Sequence, residues 1–285
     1  KAGKTMWRNF LPSALGATGM QLNLLVDLIL ASLLPVGAIS WLYYADRIAQ
    51  LPLGIVGIAL GTALLPRLSA LETEGQKGEV KKALNEAIVF GGFFVIPAMT
   101  ALIIMAETII KGLFVYGAFD ANDAVMAAKA LSVYALGLPG FVLVKLLQPA
   151  FYAAGQPGTV LKISIMTVVI NITGSLIFMP LLGHVGLALA TSLSGLMAAV
   201  LMAVLLHRSH RFGWNWFGEM GRIILSTFLM AVLLLMIVNF GVGLKENMPA
   251  VIWLAGLVVV GAATFIGAAA FLKAIPAGLI KWWQH

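Results

Sequence analysis

Residues 160–206 read VLKISIMTVVINITGSLIFMPLLGHVGLALATSLSGLMAAVLMAVLL and hold one charged residue, Lys162. The stretch is broken only at Leu182-Gly183-His184, which leaves apolar runs over 160–182 and 185–206. A helix needs roughly 20 consecutive apolar residues to cross a hydrocarbon core of about 30 Å. Each run is therefore a predicted membrane span, and the Gly183 break is the turn of a tight helical hairpin.

The same pattern extends outward in both directions. Spans are predicted over 9–35, 38–66, 83–115 and 124–154 on one side, and over 222–244 and 250–272 on the other, eight in all. Pro35-Val36-Gly37 separates the first pair, and Ala154-Gly155-Gln156-Pro157-Gly158 separates the fourth from the fifth. The composition agrees: of 285 residues, 61% are apolar and 10% charged, with a mean hydropathy of +1.01. A soluble domain carries roughly 45–50% apolar and about 25% charged residues, so a water-soluble globule is excluded. The ~10-residue alternation of a transmembrane barrel is absent. The expected fold is all-α and polytopic. Lys1 in place of an initiator Met, with no signal-peptide pattern before the first span, reads as part of a longer chain.

Cation placement gives an orientation, because short cytoplasmic loops collect Lys and Arg. Lys1, Lys4, Arg8, Arg67, Lys77, Lys81, Lys82, Lys162, Arg208, Arg211, Arg222, Lys273 and Lys281, 13 in all, fall on one face, against Lys111, Lys129 and Lys245 on the other. Both termini are expected in the cytoplasm, and the excess of 18 cations over 11 acids reflects loops rather than nucleic-acid binding. The hydrophilic stretch from Glu72 to Lys82 is too short to fold as a domain. Arg211 to Phe217, with Trp214 and Trp216, has the composition of a headgroup-level anchor.

Ionisable side chains at bilayer depth cost about 2.5–3.5 kcal/mol on insertion scales, so each is a functional candidate. Four stand inside spans: Asp27, Asp46, Arg47 and Lys145. Arg47 lies nine residues into its span, roughly 14 Å deep at ~1.5 Å per residue. Helical spacing aligns Ser40, Tyr43 or Tyr44, Arg47, Gln50 and Gly54 as a polar stripe. Two readings of Arg47 stand: an ion pair with Asp46, although adjacent helical residues point about 100° apart, or a guanidinium facing a cavity and binding phosphate oxygens. Pro52, Gly54, Gly57 and Gly61 allow the same helix to bend. Asp27, with Asn171 and Ser175 of one span and Thr191 of another, could gather oxygen ligands around Na⁺, or Asp27 could take a proton; the alternative is interhelical hydrogen bonding. Lys145 either contacts anionic headgroups or snorkels. Glu107 and Lys111 form an i, i+4 pair, and His207 with His210 is weak evidence for a metal. Without cysteines there are no disulfides or thiolate ligands. No HExxH, GxSxG or P-loop pattern occurs, so an enzyme reading has little support.

Ser40-Trp-Leu-Tyr-Tyr-Ala-Asp-Arg-Ile-Ala-Gln-Leu-Pro-Leu-Gly54, with Gly57-Ile-Ala-Leu-Gly-Thr-Ala-Leu-Leu-Pro-Arg-Leu-Ser69, closely resembles the MurJ (MviN) family of lipid II flippases. Gln148-Pro-Ala-Phe-Tyr-Ala-Ala-Gly155 and Gly183-His-Val-Gly-Leu-Ala-Leu-Ala-Thr191 are similar to it too. The resemblance implies the multidrug/oligosaccharidyl-lipid/polysaccharide exporter fold, two six-helix lobes plus a final pair. This chain then corresponds to the second lobe (1–212) and a C-terminal pair (213–285) that forms a groove for the polyprenyl tail. It implies a role in peptidoglycan synthesis and cell shape at the bacterial inner membrane, with the first lobe and lipid II, the undecaprenyl-pyrophosphate disaccharide-peptide, as partners. Arg47 and Ser40 would line the pyrophosphate cavity, with Tyr44, Gln50 and Lys145 as further contacts; the family often has an acid where Gln50 stands. No cofactor is expected beyond Na⁺ or H⁺ as coupling ion, aided by membrane potential. The rival expectations are a cation-coupled drug or polysaccharide exporter and a non-transporting scaffold for cell-wall enzymes.

Overall fold

The computed structural model describes residues 25–213, 216–240 and 248–276. Residues 25–31 are helical, and a turn leads into α1 (Ala38–Pro52), which continues through a π-helical segment (Leu53–Ile58) into α2 (Ala59–Thr73). There follow α3 (Lys77–Ile104), α4 (Ala106–Phe114), α5 (Ala121–Ala153), α6 (Pro157–Leu182), α7 (His184–Arg208), α8 (Phe217–Phe240) and α9 (Ala250–Phe271). Among the described residues seven helical stretches are long and apolar enough to cross a membrane, with α1 through α2 counted as one. They correspond to the second to eighth predicted spans. The first, 9–35, lies mostly outside the described residues. The chain is an all-α polytopic membrane protein.

Helix α5 is the hub, packing against α1, α2, α3, α4 and α7. Its start is fixed by a capping box: the Asp120 carboxylate accepts from the backbone N–H of Asn122 (2.8 Å) and Asp123 (2.9 Å), and the Asp123 carboxylate accepts from the Asp120 N–H (3.0 Å). Close approach to α7 depends on small residues, since a Cβ on Gly140 would meet the Leu196 Cα at 2.8 Å. Without a water-driven hydrophobic force between helices in lipid, such close packing supplies the association energy. Helix α6 leans on α7, while α8 packs on α3 and α9 on α4 and α8, which attaches the last pair to the bundle through α3 and α4.

The expected irregularity in the second span is present as the π turn. Pro52 has no N–H to give to the preceding turn, and the lost bond is accommodated by a local shift to i→i+5 pairing over Leu53–Ile58. Tight packing holds it there: a Cβ on Gly61 would lie 2.8 Å from the carbonyl oxygen of Lys145 on α5.

Candidate functional site

Helix α1 buries Ala38, Leu42, Ala45, Ile48 and Ala49 against the hub. The opposite face leaves Ser40, Tyr43 and Arg47 exposed, at the i, i+3, i+7 spacing of one helical stripe. The Arg47 guanidinium carbon sits 4.9 Å from the centroid of the Tyr43 ring. Among the described residues no carboxylate lies within ion-pair distance of Arg47. The neighbouring acid, Asp46, is half-buried and accepts a hydrogen bond from Gln50 Nε2 instead. The expected alternative of an Asp46–Arg47 ion pair is thus not formed among the described residues, for the reason that adjacent side chains diverge on a helix.

The structure divides the predicted anion-contact set. Ser40 and Arg47 share the open face. Tyr44, expected there as an alternative to Tyr43, is turned the other way, with its ring 4.5 Å from Phe114 and 5.0 Å from Phe119. Gln50 is occupied by Asp46. Lys145 is half-buried on α5. Its stem lies against the π turn, with Cγ 3.5 Å from where a Cβ on Gly57 would be, and its amine has no hydrogen-bond or ion-pair partner among the described residues.

A second polar cluster joins residues 25–31 to α6 and α7. Thr191 Oγ1 lies 3.0 Å from Asp27 Oδ2 and accepts from Asn171 Nδ2, also at 3.0 Å. The same hydroxyl is 3.1 Å from the Leu187 carbonyl, so its single proton has two acceptors to choose between. Asn171 and Ser175, one turn apart on α6, are fully buried. Asp27 Oδ1, Asn171 Oδ1 and Ser175 Oγ are buried with no hydrogen-bond partner among the described residues. Orphaned buried oxygens are costly, and a set of oxygen acceptors with one carboxylate suits a hard monovalent cation, or a proton on Asp27. Among the described residues no group of three or more His, Cys, Asp or Glu could hold a metal.

An apolar cavity of about 320 Å³ opens between α3, α8 and α9, lined by Phe93, Pro97, Met230, Leu234, Gly261 and Phe265 among others. Its walls are almost entirely apolar, with the Met105 and Met230 side chains among aliphatic and aromatic ones.

Two junctions were not legible from the sequence. Trp41 Nε1 donates to Asp123 Oδ1 at 2.7 Å, and the His184 ring meets Trp41 edge-on at 4.9 Å, with His184 Nε2 3.0 Å from the Met126 carbonyl. This ties the starts of α1, α5 and α7. At the other end Arg211 grips Glu72 with Nε–Oε1 2.5 Å and a second bond of 3.1 Å, the two side chains being 15% and 11% exposed. The hydrogen bonds to Glu72 hold the Arg211 guanidinium above its usual range. Arg211, expected as a headgroup anchor, is thus a structural clasp; Trp214 lies outside the described residues. Glu107 and Lys111 form the expected pair at 2.5 Å.

The family model described as "Lipid II flippase MurJ" matches residues 1–280. This chain belongs to the MurJ family. A probable lipid II flippase MurJ of Rhizobium tropici is 38% identical over 206 residues, which cover 72% of this chain and 38% of the relative. One from Rickettsia prowazekii (strain Madrid E) is 32% identical over 279 residues, covering 95% of this chain and 54% of the relative. This MurJ chain therefore spans about half the length of the curated relatives it matches. The solved structure of lipid II flippase MurJ in an inward closed conformation superposes with a TM-score of 0.76 at 25% identity, covering 93% of this chain and 53% of that one. A multidrug resistance MATE family transporter of the MOP superfamily shares the fold, with a TM-score of 0.58 at 16% identity, 95% of this chain and 65% of that one.

Proposed function

We propose that this MurJ chain supplies the second lobe and the C-terminal helix pair of a lipid II flippase in the bacterial cytoplasmic membrane, with both termini of the segment on the cytoplasmic side. It works as a transporter of lipid-linked peptidoglycan precursor rather than as an enzyme. The observation that carries this reading is the exposed Arg47 on an intramembrane helix, with no ion-pair partner among the described residues. A guanidinium facing acyl chains is expensive; facing a solvated chamber between two lobes, it is a ligand for pyrophosphate. Moving a pyrophosphate through hydrocarbon requires that its hydration be replaced, and bidentate N–H···O bonds from Arg do this well.

On this reading the two lobes rock about a midplane site. Arg47 holds the pyrophosphate, Ser40 offers a hydroxyl beside it, and Lys145 adds charge near the π turn. The polyprenyl tail runs along the apolar cavity between α3, α8 and α9. Outward movement of a negative charge gains about 2.3 kcal/mol per 100 mV when the interior is negative. Asp27, Asn171, Ser175 and Thr191 would hold the coupling Na⁺ or, at Asp27, a proton; the ion would neutralise the carboxylate and satisfy the orphaned oxygens. The other lobe is supplied by the part of the protein that the longer relatives contain beyond this match.

The test replaces Arg47 in the chromosomal gene and measures how much lipid II becomes accessible on the outer leaflet, together with cell-wall growth. Arg47→Ala is expected to abolish both while membrane levels stay normal, and Arg47→Lys to retain a minor fraction, since a point charge lacks the planar fork. Full growth with Arg47→Ala would refute the flippase reading and favour a scaffold. Retained lipid II movement with lost efflux of a cationic drug would favour the exporter.

A further inference from the structure

We infer that Tyr43 is a positioning residue for Arg47, holding the guanidinium by the face of its ring so that the N–H donors stay free for an anion. This deepens the reading of Arg47 as an anion ligand and rests on it.

The long side chain of an unpaired arginine loses rotamer entropy on binding, so an arginine that waits unrestrained binds weakly. A carboxylate partner would fix it but would take up N–H donors and cancel the charge. An aromatic face does neither: it attracts the cation through the ring quadrupole and accepts none of the in-plane hydrogen bonds. Tyr43 precedes Arg47 by one helical turn, and the guanidinium carbon is 4.9 Å from its ring centroid. The ring is 53% exposed on the same face as Arg47, so the pair stands at the open surface. The one adjacent acid that could compete, Asp46, is engaged by Gln50.

The ring is itself backed. Tyr43 meets Tyr44 at 5.8 Å with an interplanar angle of 74°, and Tyr44 rests on Phe114 and Phe119. The series runs from the guanidinium through Tyr43 and Tyr44 to α4 and the loop before α5. It explains why the sequence carries two adjacent tyrosines, of which one faces outward and one inward.

The test measures binding of farnesyl pyrophosphate, with farnesol as control, to the purified full protein in nanodiscs. Arg47→Ala first establishes the underlying reading, with an expected loss of at least tenfold in pyrophosphate affinity and none for farnesol. Tyr43→Leu should then weaken pyrophosphate binding by about fivefold, the size of a cation–π contact of about 1 kcal/mol. Tyr43→Phe should restore nearly all of it, because the ring and not the hydroxyl is used. Trifluorophenylalanine at position 43, of similar shape but with a weakened quadrupole, should behave like Leu. Thermal midpoints should be unchanged for the ring variants. Normal binding by the fluorinated variant, or failure of Tyr43→Phe, overturns the inference while leaving Arg47 in place. Normal binding by Arg47→Ala overturns the underlying reading, and the inference falls with it.

Discussion

The cluster at Asp27 gives the most demanding quantitative expectation. On the proposed reading a monovalent cation binds the folded protein there and not the unfolded chain, so it adds RT ln(1 + [L]/Kd) to stability. At a concentration ten times the dissociation constant this is about 1.4 kcal/mol, which for a chain of 285 residues is a rise of about 2–3 °C in midpoint. Detergent-solubilised protein should therefore melt higher in NaCl than in choline chloride at equal ionic strength. Asp27→Asn removes the only charge in the cluster and should collapse the difference to zero. Thr191→Val is nearly isosteric but strips Asp27 Oδ2 and Asn171 Nδ2 of their shared partner. Two groups left unmatched at about 1–3 kcal/mol each should lower stability in choline by about 2–6 kcal/mol, with part of the loss recovered in NaCl. Equal melting of the unaltered protein in both salts across pH 5 to 8 would refute the cation reading. If midpoints respond to pH and not to Na⁺, the site takes a proton.

Three further outcomes follow from the packing. Glu72→Ala should destabilise the protein by about 3 kcal/mol, because it leaves the Arg211 guanidinium buried and unpaired, whereas the double change Glu72→Leu with Arg211→Met should be close to neutral; a denaturation cycle over the four proteins checks both signs. Trp41→Phe keeps the edge contact with His184 but leaves Asp123 Oδ1 without its donor, and thermal melting should show a loss of about 1 kcal/mol. Gly61→Val places methyl groups against the Lys145 carbonyl that already sits 2.8 Å from the Cβ position, so it should cost about 1–3 kcal/mol and reduce lipid II accessibility at the outer leaflet; normal transport would show that the π turn carries no functional role.

The fold was largely legible because the bilayer demands it. Runs such as 160–206 permit only helices, and Gly, Pro and polar breaks mark the turns. Pro52, Gly54 and Gly57 mark where the second span departs from a regular helix, but they suggest a bend, and the departure found is a π segment. The two sites were legible in part for a different reason: polar atoms at depth are few, so Asp27, Asn171, Ser175 and Thr191 stand out against Leu, Val and Ala even though 164 residues separate Asp27 from Thr191. Partner choice was not legible. Nothing local indicates that Asp46 turns to Gln50 rather than to Arg47, that Tyr44 faces inward while Tyr43 faces out, or that Arg211 reaches Glu72 across 139 positions. Those outcomes depend on which helix faces pack, and they are decided by tertiary geometry rather than spacing. The Asp120–Asp123 capping box, by contrast, had a local signature in the two acids three residues apart.

On the proposed reading the ion and anion sites both meet one helix, which bears on how ion and anion would be coupled. Helix α7 begins at His184, against Trp41 of the Arg47-bearing helix, and about two turns later presents Thr191 to Asp27. The helical segments that carry Asp27 and Arg47 are joined by the short turn around Pro35 to Gly37, so the segments on both sides of that turn contact the same helix. Helix α1 is bounded by this turn at one end and the π segment at the other. A cation that tightens the Asp27–Thr191 contact therefore acts on a segment whose continuation carries the guanidinium. Any coupling that results must be reciprocal: the factor by which Na⁺ changes pyrophosphate affinity has to equal the factor by which pyrophosphate changes Na⁺ affinity. It must also shrink when Trp41 is detached from Asp123 and His184, because the shared anchor on α7 is then lost while both binding sites keep their own ligands.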